Sequence, residues 1–202
     1  MSTAASRAAI LTLLAAVMVA TRLHHFGAVP DASWAMFFIG GFYLQRWTRW
    51  AFPLLAALAV FVDWLVIRGQ GLDFWTHYCV SPGYWALLPA HLAMWSGGWW
   101  LQRATGGRVQ WRSAGLLLTS VVVAAATCHL FAQGGFYWLA DAVAEPTLAG
   151  WWKNYTDWLP AYVRVSAMYV GIAAAAHVAL ARLWPAQAAA LADASTDTAA
   201  EA

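Results

Sequence analysis

Charged side chains are scarce in this sequence. They make up 10% of 202 residues, where a soluble domain carries about 25%. Hydrophobic residues make up 62%, so much of the surface must face a solvent other than water, and the bilayer is that solvent. Cysteine is rarer still. Cys79 and Cys128 cannot build a disulfide framework, although they could form one bridge. There is no basic tract, and a net charge of +2 is too small to argue for nucleic acid. No Gly-rich phosphate loop, paired-Cys motif, Gly-x-Ser-x-Gly or His-Glu-x-x-His occurs. No stretch alternates as a barrel strand does. What is abundant is tryptophan, with 15 residues, and indoles favour the membrane interface.

The apolar runs predict an all-α integral membrane protein with six transmembrane helices, over 7–23, 32–45, 51–68, 84–102, 114–133 and 160–184. A span needs roughly 17–25 residues. It must be helical, because lipid offers no partner to an unpaired backbone group. The second run is short and interrupted by Gly40-Gly41. The first follows Arg7 as a signal peptide would, but it runs into Arg22-Leu23-His24-His25 instead of a small-residue cleavage site. Residues 1–185 therefore read as one six-helix domain. The Ala-rich, acidic tail 186–202 is expected to be disordered or a frayed helix.

Arg and Lys bias sets orientation. With the N-terminus in the cytoplasm, Arg7, Arg46, Arg49, Arg103, Arg108, Arg112 and Arg182 fall inside. Arg22, Arg68, Lys153 and Arg164 fall outside. Both termini are then cytoplasmic. Loops 24–31, 69–83 and 134–159 face out and carry Asp31, Asp73, Asp141, Glu145 and Asp157, with an aromatic run in the last, and such loops are where binding chemistry sits on a helical scaffold.

The outer loop before the fourth span holds His77-Tyr78-Cys79-Val80-Ser81-Pro82-Gly83-Tyr84-Trp85. Cys79 can be a small buried residue, half of a bridge to Cys128, or a functional thiol. A soft sulfur among aromatic rings suits a flat ligand carrying a transition metal. Asp63 lies in the third span, where an ionisable residue is costly and faces inward. It can pair with Arg22 or Arg68, or accept from a polar ligand. Tyr84, Leu88, His91 and Trp95 share one face of the fourth helix, and Tyr162, Ser166 and Tyr169 share one of the sixth. Each face can be packing or pocket wall. His24 and His25 read as polar loop residues, with a ligand or Asp63 contact as the alternative. Ala16 and Ala20, like Ala5 and Ala9, would let another helix approach closely.

This set of features resembles the substrate-binding S-components of energy-coupling-factor vitamin transporters. The Cys79 segment narrows the likeness to the BtuM family of small cobalamin transporters of Gram-negative bacteria, over roughly residues 7–184. The resemblance implies an inner-membrane location and cobalamin as ligand, with Cys79 supplying sulfur to the cobalt. It also implies polar contacts from Asp63, His77, Tyr84 and Tyr162, with His91 deeper in the wall, and packing of Trp75, Tyr78 and Trp85 on the corrin edge. A thiolate on cobalt would also help expel an upper cyanide. Ala16 and Ala20 are what one expects of a helix that docks on a separate energising module, since the chain has no ATPase motif. Two other readings compete. A haem b electron-transfer subunit would use His91 and His129 as axial ligands, with His177 unmatched in depth. A lipid or peptide enzyme would use Cys79 and His77 as nucleophile and base, a weak geometry for neighbours on one loop.

Overall fold

The computed structural model describes residues 3–23, 29–108, 111–141 and 143–183. His24, His25 and the tail 186–202 lie outside the described residues. Within them the chain is all-helical, with no strand. The helices are α1 (Thr3–Arg22), α2 (Ser33–Tyr43), α3 (Thr48–Gly69), α4 (Leu87–Thr105), α5 (Ala114–Leu139) and α6 (Leu148–Leu183). Short 3-10 turns at Gln45–Trp47 and Pro82–Ala86 precede α3 and α4.

Four of these helices, α1, α3, α5 and α6, are long and apolar enough to cross a membrane. Leu13, Leu54, Phe61, Leu118, Val123 and Ile172 on them are each more than half exposed, as lipid-facing side chains should be. The fold is that of a helical membrane protein. The other two expected spans form helices that fall short of that test. With 11 residues, α2 rises only about 16 Å at 1.5 Å per residue, roughly half a hydrocarbon core. In α4 the 19 residues include His91, Gln102 and Arg103 and are less apolar.

The largest departure from expectation is at the sixth helix. Pro160 marks a helix start when read from sequence, since proline suits the first turn. In the structure α6 begins twelve residues earlier and Pro160 lies inside it. The Thr156 carbonyl there loses its usual donor. The broad aromatic loop expected over 134–159 is therefore mostly helix, the end of α5 and the start of α6. At 36 residues, α6 is about 54 Å long, well beyond a core of about 30 Å. Its first turns carry Trp151, Trp152, Lys153, Asn154 and Trp158, a composition suited to the interface.

The short helix α2 is the centre of the bundle. Every residue from Ala35 to Phe42 is buried, and a helix apolar all round must be enclosed. Gly40 and Gly41 do not interrupt it; they are its contact surface. A Cβ on Gly41 would run into the Trp95 carbonyl, and one on Gly98 into the Phe38 carbonyl. Backbones of α2 and α4 thus meet directly, as small residues allow between membrane helices. Gly98→Ala should cost about 2–3 kcal/mol, the upper range for overpacking. A lower midpoint of helix loss in a thermal or SDS titration of the purified protein checks this.

Candidate functional site

The site begins with a charge that has no water. Arg22, the last residue of α1, is 9% exposed. A guanidinium in such a place must find acidic partners. Its Nε and Nη2 donate to Asp63 Oδ1 and Oδ2 on α3, both at 2.7 Å. Its Nη1 donates to Asp31 Oδ2 at 2.9 Å and to Ser33 Oγ at 3.1 Å. Asp31 caps the start of α2, its Oδ1 accepting from the Ser33 amide at 2.8 Å and hydroxyl at 2.6 Å. The Tyr84 hydroxyl donates to Asp63 Oδ2 at 2.6 Å. One cation therefore joins the end of α1, the start of α2, the upper part of α3 and the turn before α4. Of the two partners considered for Asp63, the structure selects Arg22. Arg68 is exposed and lies 3.7 Å from Asp73 instead.

Cys79 lies in the turns over 70–81, ahead of Tyr84 in the chain. It is half-buried and free, and Cys128 is fully buried and free, so the two form no bridge. The Cys79 amide donates to His77 Nδ1 at 3.3 Å. That bond turns this nitrogen toward the backbone and places the ring proton on Nε2. The nucleophile-and-base pairing thus has no His77 Nδ1 to use. Tyr78 lies against His77 with ring centroids 4.6 Å apart. Its phenol is raised above the ordinary value by hydrogen bonding to Cys79. Trp75, Tyr78 and Trp85 are all exposed. All three belong to the 70–86 segment that also carries Cys79.

The turn Pro82–Ala86 is seated on α5 through glycine. A Cβ on Gly83 would run into the Gly135 carbonyl, and one on Gly135 into Ala86. Beneath the turn, a cavity of about 10 Å³ lies between Arg22, Tyr84, Trp85, Leu88 and His91. That is room for a single water at most. A second, open groove of about 360 Å³ lies between α3 and the 70–81 segment, lined by Val60, Phe61, Trp64, Phe74 and Trp75.

The remaining candidates fall into other packing environments. His91 is buried and stacks on Phe37 at 4.1 Å. Of its helix face, Tyr84 and Trp95 are buried with it, and Leu88 is exposed. His129 is buried beside Tyr155 and Tyr162, at 5.0 and 4.8 Å, and its Nε2 meets the Tyr155 carbonyl at 3.2 Å. Tyr162 stacks on Trp34 at 4.5 Å. Tyr162 therefore belongs to an α2–α5–α6 aromatic cluster, whereas Tyr84, Asp63 and His91 share the cavity side. His177 pairs with the Tyr43 hydroxyl at 2.6 Å. Asp31, Ser33 and Gly135 escaped sequence reasoning. The Asp-x-Ser spacing before an apolar run was a readable helix-start signal. Nothing in the sequence marks Gly135 as facing Gly83.

Among the described residues no three His, Cys, Asp or Glu side chains converge to hold a metal ion. No protein-family model matches this chain, and no curated protein matches it in sequence.

Arg22→Ala strands two carboxylates with the cation gone. It should destabilise the fold by about 3 kcal/mol, the lower range for a broken buried pair, as read by thermal unfolding in detergent. Under native conditions a small maleimide should modify Cys79 and spare Cys128, which peptide mass spectrometry resolves. Modification at Cys128 before unfolding would contradict its burial.

Proposed function

We propose that this protein is a small bacterial inner-membrane transporter that binds cobalamin from the outside, with Cys79 as an axial ligand to cobalt. The observation that supports the reading is a free, half-buried thiol in a segment that also exposes Trp75, Tyr78 and Trp85. A soft donor reaches a soft metal centre, and exposed rings offer contact to a corrin edge. Asp63, His77 and Tyr84 supply polar groups below the thiol for the ring's amide arms, with His91 at the floor. Tyr162, from the neighbouring aromatic cluster, would meet the ligand from the α6 side.

In this reading all six helices lie within the bilayer, five of them crossing it and the short α2 enclosed among them. Both termini are cytoplasmic, and the Cys79 end faces the periplasm. The basic residues favour that orientation by seven to four. Ala16 and Ala20 are exposed on α1 in line with Ala5 and Ala9. A stripe of that spacing suits close approach of a helix from a separate energising module.

Drug-sized ligands occupy roughly 300–1,000 Å³, and a corrin with its amide arms is larger still. The space under the turn is about 10 Å³, so capture requires the 70–86 segment to move. With the vitamin bound, the Cys79 sulfur would replace one ligand of cobalt; where that ligand is cyanide, it would leave with its electron pair and take up the thiol proton as hydrogen cyanide.

Two measurements test the proposal. A strain that cannot make or import cobalamin should grow at limiting vitamin when it carries this gene, and Cys79→Ala should grow less well. Purified protein mixed with cyanocobalamin should change the vitamin's visible spectrum. A spectrum left unchanged, and the same for wild type and Cys79→Ala, removes the cobalt-ligand role. Failure of the wild-type gene to rescue growth removes transport.

A further inference from the structure

Asp63 Oδ2 serves two donors at once, Arg22 Nη2 at 2.7 Å and the Tyr84 hydroxyl at 2.6 Å. Their loss would have different consequences. Without Arg22 a carboxylate stays buried with no cation. Without Tyr84, Asp63 keeps both oxygens on the guanidinium fork, and the freed phenol belongs to a turn next to solvent. The second contact is the one the fold can break and remake.

The chain around Tyr84 is built to move as a piece. Its backbone bonds are local: His77 to Phe74, Val80 to His77, Tyr84 to Ser81. Phe74 and Tyr84 pack together with Ile67 in a small cluster separate from the main core. On the α5 side the turn meets Gly135 through Gly83, backbone to backbone. Two glycines have no side chains to disengage, so that contact can act as a pivot. Ser81 Oγ, just before the turn, is buried with no hydrogen-bond partner. That cost is relieved when the segment meets water. Beneath it lies the small cavity between Arg22, Tyr84, Trp85, Leu88 and His91.

We propose that the Tyr84–Asp63 hydrogen bond is the releasable latch of this pocket. Arg22 holds Asp63 still, and the Cys79-bearing segment swings about the Gly83–Gly135 contact to open the cavity. Arg22 and Asp63 are positioning residues here: they fix where the mouth closes and do not travel with it. The latch works whatever ligand enters, so it does not rest on the cobalamin reading.

The test uses the full chain in detergent or nanodiscs, with no vitamin present. Tyr84→Phe keeps the ring against Phe74 and removes only the bond. The readout is the rate of Cys79 alkylation by a bulky maleimide divided by that of a small one. Loss of one hydrogen bond to an ionised acceptor should raise this ratio by about tenfold, with helix content unchanged. An unchanged ratio in folded Tyr84→Phe overturns the latch. If that variant loses its helix content, hydrogen exchange of the wild type decides. Residues 77–86 exchanging as one block ahead of α4 supports the latch, and exchange no faster than α4 overturns it. Because neither readout involves cobalamin, failure of the vitamin assay leaves this result standing.

Discussion

A guanidinium taken out of water has to be surrounded, and Arg22 organises one end of this protein by that requirement. Desolvating a charge costs several kcal/mol, and attraction to a partner offsets this only when geometry and hydrogen bonds are good. Arg22 meets that condition with a bidentate grip on Asp63 and a second contact to Asp31. Bidentate pairing is the strong, directional form of the interaction. Its worth is less in net stability than in specification, since four separate segments must arrive together for any of the charges to be satisfied. A slip of α1 by one residue would swing Arg22 about 100° around its axis and leave two carboxylates bare.

The same constraint explains how a helix too short to span sits at the centre. With α2 begun at Asp31 and Ser33, its depth is set by Arg22. From there eleven residues reach only to Tyr43, where the hydroxyl meets His177 Nδ1 on α6. Trp95 on α4 reaches the next element through Nε1 to Thr48 Oγ1 at 3.1 Å. Polar groups within the bundle are thus consumed pairwise, while glycines at 41 and 98 let α2 and α4 close without a gap. Core packing makes the middle rigid, and the polar joint sets its register.

Much of this was legible in the sequence, and the failures have physical causes. Five of the six helices appear within a few residues of the apolar runs, because apolar length is what a bilayer selects. That Asp63 pairs with Arg22 or Arg68 is readable because a buried carboxylate inside a span needs a cation of similar depth; the choice of Arg22 depends on the packing of α1 against α3. The start of α6 was missed because Pro160 looks like a first-turn residue, and the sequence around it carries polar side chains as a loop would. In a helix longer than the membrane is thick, those residues lie past the lipid. Gly40-Gly41 looked like a break because propensity is a local quantity. Its role depends on Trp95, more than fifty residues away. Tyr162 shares a depth with Tyr84 but packs on Trp34 and His129. Depth alone does not tell which helix pair a side chain faces.

The distribution of donors bears on what kind of ligand a lone thiol can serve. A resident metal ion needs several protein ligands, and no such group forms among the described residues. Three of the histidines are engaged within the fold: His91 against Phe37, His129 on the Tyr155 carbonyl, His177 on Tyr43. His77 gives one nitrogen to the Cys79 amide. Cys79 is left as a half-buried soft donor with no second or third metal-ligating side chain converging on it among the described residues. A single protein ligand can hold a metal only if the metal arrives with most of its coordination already filled. Under the proposed reading, one sulfur would serve a metal that arrives already held in a larger organic frame, and the exposed rings of Trp75, Tyr78 and Trp85 would give that frame contact area. The buried Arg22 joint would then be the fixed ground against which the proposed latch closes.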